Sequence, residues 1–148
     1  MHTRLIMTPL VMTALVICLL PPIGAIAQTI EPASAAEQRM QARYPQPVRV
    51  GDLIGLPVLD DRARTLGYVR EIVRTNENKI ELIVDYRGLL DWHARPVAVP
   101  LEVVGIAGRQ ISSLDMPRSE YASAPTWRSA AAQTLPADSM IRIALSRH

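Results

Sequence analysis

The chain has 148 residues, 49% hydrophobic but only 4% aromatic, with a formal net charge of +2 and a single cysteine. That length holds one domain, and one cysteine excludes a disulfide-built scaffold. The basic residues, all arginine apart from Lys79, are scattered and not interleaved with aromatics, which excludes a nucleic-acid footprint.

Residues 1–27 read as an export leader. Arg4 supplies a positive start, Leu5–Leu20 an apolar run, and Pro21-Pro22 a helix stop. Ala25-Ile26-Ala27 gives the small-x-small pattern that signal peptidase cuts after. Cleavage there makes Gln28 the mature N-terminus, removes Cys18, and implies a periplasmic or secreted product close to neutral charge. An uncleaved inner-membrane anchor is the competing reading. The run is shorter than the roughly 20 residues a span needs, and it carries Thr8, Pro9 and Thr13.

Residues 28–46 are polar and alanine-rich, and read as a flexible segment; a short helix over AAEQRMQAR, stopped before Pro45, is the alternative. Val48 and Val50 lead into a first strand over Leu53–Leu59, with Pro57 marking an edge or bulge. Asp60–Arg64 reads as a solvated turn. Thr65–Arg74 reads as a second strand, with Gly67 at a bend or close backbone approach. Asn76–Lys79 forms a hairpin turn. Ile80–Tyr86 is the clearest strand: Ile80, Leu82, Val84 and Tyr86 alternate with Glu81, Ile83 and Asp85. Strands over Arg95–Val99, Leu101–Ile106 and Gln110–Ser113 follow, the last two joined by a turn at Ala107–Arg109. Asp115 is placed to cap a helix over Met116–Ala124, which tolerates Pro117 in its first turn and ends before Pro125. Residues 126–138 read as a connector, and Met140–Leu145 alternates as a further terminal strand. Six short strands enclose a sufficient core only if the sheet closes, so the expected fold is all-β, a small six-stranded barrel with a short C-terminal helix.

Four stretches carry a family resemblance. Leu53-Ile54-Gly55-Leu56-Pro57-Val58 and Leu66-Gly67-Tyr68-Val69 resemble the opening strands of the PRC-barrel family, the module shared by the photosynthetic reaction-centre H subunit and the ribosome-maturation factor RimM. Val97-Ala98-Val99-Pro100 resembles the family's strand after the long loop, and Leu114-Asp115-Met116 with Ala124-Pro125 its closing helix. The resemblance implies a PRC-type barrel over residues 47–125, followed by an extension over 126–148. It departs from the family at Leu89–Ala94, which is bulky where the family is often glycine-rich. The residues ahead of the barrel do not read as the additional domain of the RimM proteins, so ribosome maturation is not implied. No functional residue carries over, because the shared motifs are structural.

The loop Arg87–Arg95 is the candidate binding site, through Arg87, Leu89, Leu90, Trp92, His93 and Arg95. A Trp flanked by Leu and bracketed by Arg has the composition of an interface hot spot. The alternative is that Leu89, Leu90 and Trp92 close the barrel end and belong to the core. Asp91 and His93 do not make an acid–base pair on spacing alone, since loop residues two apart need not face each other. After cleavage only His93 and His148 remain as histidines, with no metal-ligand spacing, so no metal or cofactor is expected. Ser112, Ser113 and Ser119 lack a nucleophile-elbow context. Arg70, Glu71, Arg74, Glu77 and Glu81 read as exterior pairs across the hairpin. The expectation is a non-enzymatic protein that binds an envelope protein or a second copy of itself; the alternative is a small-ligand binder at the barrel mouth.

Overall fold

The computed structural model describes residues 34–88, 93–129 and 132–146. The expected leader, and Leu89, Leu90, Asp91, Trp92 and His148, lie outside the described residues. Among the described residues no helix is long and apolar enough to cross a membrane.

In chain order the elements are α1 (Ala35–Ala42), β1 (Gln46–Arg49), a helical turn α2 (Val50–Leu53), β2 (Pro57–Leu59), β3 (Thr65–Thr75) and β4 (Ile80–Tyr86). Then come β5 (Arg95–Pro100), a 3-10 turn (Leu101–Val103), β6 (Val104–Ala107), β7 (Gln110–Ser113), α3 (Arg118–Ser123), β8 (Ala132–Thr134) and β9 (Met140–Leu145). The nine strands form one sheet in the order β1-β9-β6-β7-β2-β3-β4-β5, with β8 added on β3. The six expected strands correspond to β2 to β7, and the terminal strand to β9.

The β3–β4 hairpin is the spine. Leu82, Val84 and Tyr86 enter the main core, while Ile83 on the opposite face is also fully buried. Between Val69 and Glu71 the register shifts, leaving Arg70 as the extra residue of a bulge that bends the long strand around the core. The turn closes with Asn78 at φ 61°, a conformation Asn tolerates well.

Two strand starts differ from the sequence reading, each where an apolar side chain is buried from a turn instead. The first strand shrinks to Pro57–Leu59. Val50 and Leu53 instead share one face of α2, both fully buried, and Gly55 at φ +82° turns the chain back into β2. The first α2 amides are satisfied by carbonyls of Ser139 and Ala137 at 2.9 and 2.8 Å. Likewise the expected strand from Leu101 starts at Val104. Leu101 is buried in the 3-10 turn, which carries the chain from β5 to β6. Among the described residues no ladder joins these two strands, so the ring of β2 to β7 closes through the chain itself. The free edge of β6 takes β9, in parallel through Gly105↔Ala144 and Ile106↔Leu145.

The remaining corrections lie outside the ring. Residues 35–42 are helical, not a tether: Ser34 and Glu37 form a reciprocal capping box. No residue of α1 is buried. The helix is fastened at its end, where Arg43 makes two hydrogen bonds to Asp115 at 2.8 and 3.2 Å. That use of Asp115 overturns its expected capping role, and α3 starts after Pro117 with no side-chain cap. Within the expected connector, Ala132–Thr134 pairs with Val73–Thr75 as β8. Trp127 donates its backbone N–H to Pro96 at 2.8 Å, covering part of the β5 edge.

Candidate binding site at the barrel mouth

The candidate loop joins β4 to β5, at the end of the barrel where β3 begins. Gly67 makes this end possible, because a Cβ there would overlap the Asp85 carbonyl of the neighbouring strand. Tyr68 stands directly opposite Asp85 and points outward, 55% exposed. As the chain leaves β4, the Arg87 amide N–H donates to the Leu66 carbonyl at 2.9 Å, which sets Arg87 beside Tyr68.

The opposite wall comes from the turn before β3. Asp60, read from sequence as part of a solvated turn, is only 7% exposed and organises the whole corner. Its Oδ1 accepts the backbone N–H groups of Arg62 and Arg64 at 3.0 and 2.8 Å. Its Oδ2 accepts from Arg64 Nε at 3.0 Å and Arg118 Nε at 3.1 Å. Arg118 also donates from Nη2 to the Thr65 carbonyl at 3.0 Å, which staples α3 to the start of β3. Burial alone would raise the Asp60 carboxyl, but the hydrogen bonds from Arg64, Arg118 and Arg62 outweigh it and hold the group well below the ordinary carboxylate value.

Between these walls lies an open cleft of about 540 Å³, lined by Arg64, Tyr68, Asp85, Arg87 and Arg118 over a backbone floor at Gly67. Asp85 faces Arg70 at 3.8 Å.

Of the expected site residues, Arg87 reaches this cleft. His93 is exposed and does not line it. Arg95 is turned elsewhere: its Nη1 donates to the Ala124 carbonyl at 2.6 Å, and its Nη2 to those of Tyr121 and Ala122 at 2.7 and 2.6 Å. It thus satisfies the last carbonyls of α3 while its guanidinium lies 5.4 Å over the Tyr86 ring. Arg95 clasps β5 to α3 and does not line the cleft. Leu89, Leu90 and Trp92 lie outside the described residues.

Tyr86 packs on Tyr121 with ring centroids 5.9 Å apart, and the Tyr121 hydroxyl donates to Ser113 Oγ at 3.1 Å. Ser113 in turn donates to the Met116 carbonyl at 2.6 Å. Burial pushes the Tyr121 phenol up to about 12, so it holds its proton across the neutral range. The exterior pairs also differ from expectation: Glu71 accepts from the Thr134 hydroxyl at 2.8 Å, and Lys79 pairs with Glu77 at 2.9 Å.

Tyr68, Arg64, Arg118 and Asp60 were the residues missed. Alternation gives no sign of Tyr68, since period two sets it on the face of the buried Leu66. Nothing local signals Arg118, which meets Asp60 from 58 residues away.

No curated protein matches the chain. Residues 47–112, from β1 into β7, match the family model of the PRC-barrel domain.

Proposed function

Because residues 47–112 form a PRC-barrel domain, we propose that this chain is an exported, non-catalytic interaction module that binds another protein of the cell envelope. The observation that carries the reading is Tyr68. In a chain with four tyrosines, two tryptophans and no phenylalanine, this ring is left 55% exposed while arginines line the cleft beside it. Exposed Tyr and Arg together are the residue types that concentrate binding energy at interfaces. The interior supports the same reading: Val58, Leu66, Leu82, Val84, Val97 and Ile111 are fully buried in the core, so binding belongs on the outer surface. Export is supported by the pattern from Arg4 to Ala27.

A small-ligand site is the second reading, favoured by a cleft of about 540 Å³ that falls within the usual size of ligand pockets. Crosslinking the tagged protein in its native envelope, followed by mass spectrometry, separates the two. An interaction module yields one enriched envelope protein, whose capture is lost in Tyr68→Ala while far-UV circular dichroism is unchanged. Recovery of monomer alone from both proteins would defeat the module and leave the small-ligand reading.

A further inference from the structure

We infer that the occupant of the barrel-mouth cleft is an acidic stretch of the partner polypeptide. Its carboxylates meet the arginine wall, and its neighbouring side chains lie on Tyr68. This deepens the interaction-module reading and rests on it.

The charge balance sets the sign of the ligand. Arg64, Arg87 and Arg118 line the cleft. Asp60 answers Arg64 and Arg118 with a single charge and Asp85 faces Arg70 at 3.8 Å, so these four arginines meet two carboxylates and leave a positive excess. Two of the three lining arginines are fixed in advance. Asp60 holds Arg64 and Arg118 through Nε, and Arg118 Nη2 is taken by Thr65. Among the described residues, Nη1 of Arg64 and of Arg118 and the whole Arg87 guanidinium make no hydrogen bond or ion pair. The site therefore presents guanidinium donors whose positions are largely set by a buried carboxylate. Planar guanidinium forks match carboxylates well, and preorganisation lowers the entropy lost on binding.

The apolar side of the surface sets the class of ligand. Gly55 donates to the Val69 carbonyl at 2.7 Å and Val69 to the Leu56 carbonyl at 3.0 Å, which brings Ile54, 43% exposed, to the same stretch of β3 as Tyr68. A peptide carrying both carboxylates and apolar side chains uses the arginines and the exposed Tyr68 ring together. A free inorganic anion uses only the arginines.

The test is a fluorescence-anisotropy titration of the protein with a short labelled peptide of alternating Glu and Leu, against the same peptide with Gln for Glu. Two-dimensional amide NMR maps where each peptide binds. The acidic peptide is expected to shift amides at Thr65–Val69 and Arg87–Gly88, to weaken with added salt, and to outbind the Gln peptide. Arg87→Glu is expected to lower its affinity on the order of tenfold, the scale of one charge-assisted hydrogen bond, without changing the melting temperature. Equal binding of the two peptides, or unchanged affinity in Arg87→Glu, overturns the inference. So does displacement of the peptide by inorganic phosphate or phosphatidylglycerol vesicles at comparable concentration, or a concentration-dependent dimer that occludes the cleft. If envelope capture is lost in Tyr68→Ala but kept in Arg87→Glu, the interaction module stands and the acidic segment falls.

Discussion

Asp60 shows how one buried carboxylate can set both the stability and the shape of the corner beside the cleft. Asp60→Asn keeps the size of the side chain but removes the charge that the Arg64 and Arg118 guanidinium groups answer. A cost of about 1–3 kcal/mol is expected in urea unfolding. The same linkage gives a pH dependence. Asp60 is held far below its ordinary 3.8, and Asp115 is held low mainly by its hydrogen bond from Arg43. Both contributions are fully present above about pH 4 and are lost as the pH falls through each depressed folded value. Glu81 acts in the opposite sense: burial, then Glu102, raises its carboxyl, so its contribution disappears as the pH rises through that value. Stability is thus expected to drop on acidification below about pH 4, and to drop less in Asp60→Asn; identical acid profiles would remove Asp60 from the account. Gly67→Ala presses a Cβ into the Asp85 backbone, with an expected loss of about 1–3 kcal/mol measured by thermal unfolding. Gly67 was legible in sequence as a close-approach glycine. Asp60 was not, because only its contacts to Arg62 and Arg64 are local and the third comes from α3.

Elements were legible wherever alternation alone decides burial. β3, β4, β5, β7 and β9 form where strands were expected, and in β4 Leu82, Val84 and Tyr86 take the expected core face, although Ile83 opposite them is buried too. The pattern failed where an apolar residue is buried by a turn. Val50, Leu53 and Leu101 look like strand residues, but a helical or 3-10 turn places them in the core. It failed also for α1, whose capping box forms although the helix has no apolar face to recommend it. The two terminal elements therefore differ in weight. β9 buries Ile141, Ile143 and Ala144 between β1 and β6, at about 1.5–3 kcal/mol for each large side chain. Truncation before β9 is expected to leave an unfolded or aggregating protein. Removal of residues up to Met40 keeps Arg43 on Asp115 and is expected to cost less than about 1 kcal/mol. Circular dichroism melts of the two truncations check this, and equal destabilisation would contradict it.

For the molecule as a whole, the division of labour runs between a packed interior and a decorated mouth. The ring of β2 to β7 is filled by its own side chains, so on the proposed reading specificity rests on what the loops and strand ends present. Composition and alternation made the barrel readable, and the arginine-bracketed loop lies at the same end as the cleft of the proposed site. The site itself is assembled from three distant stretches, at Asp60–Arg64, Gly67–Tyr68 with Asp85–Arg87, and Arg118. Of the side chains named as candidates from sequence, Arg87 lines the cleft, with Gly88 and Ala94 of the same loop, while Arg95 serves the helix behind it. The most direct test of the interaction module places a photo-crosslinking amino acid at Tyr68, and in a second protein at Glu77, at the far end of the same hairpin. Irradiation in the native envelope is predicted to join one partner protein to position 68 and none to position 77. No adduct at 68, or the same adducts at both positions, would contradict a binding surface at the barrel mouth.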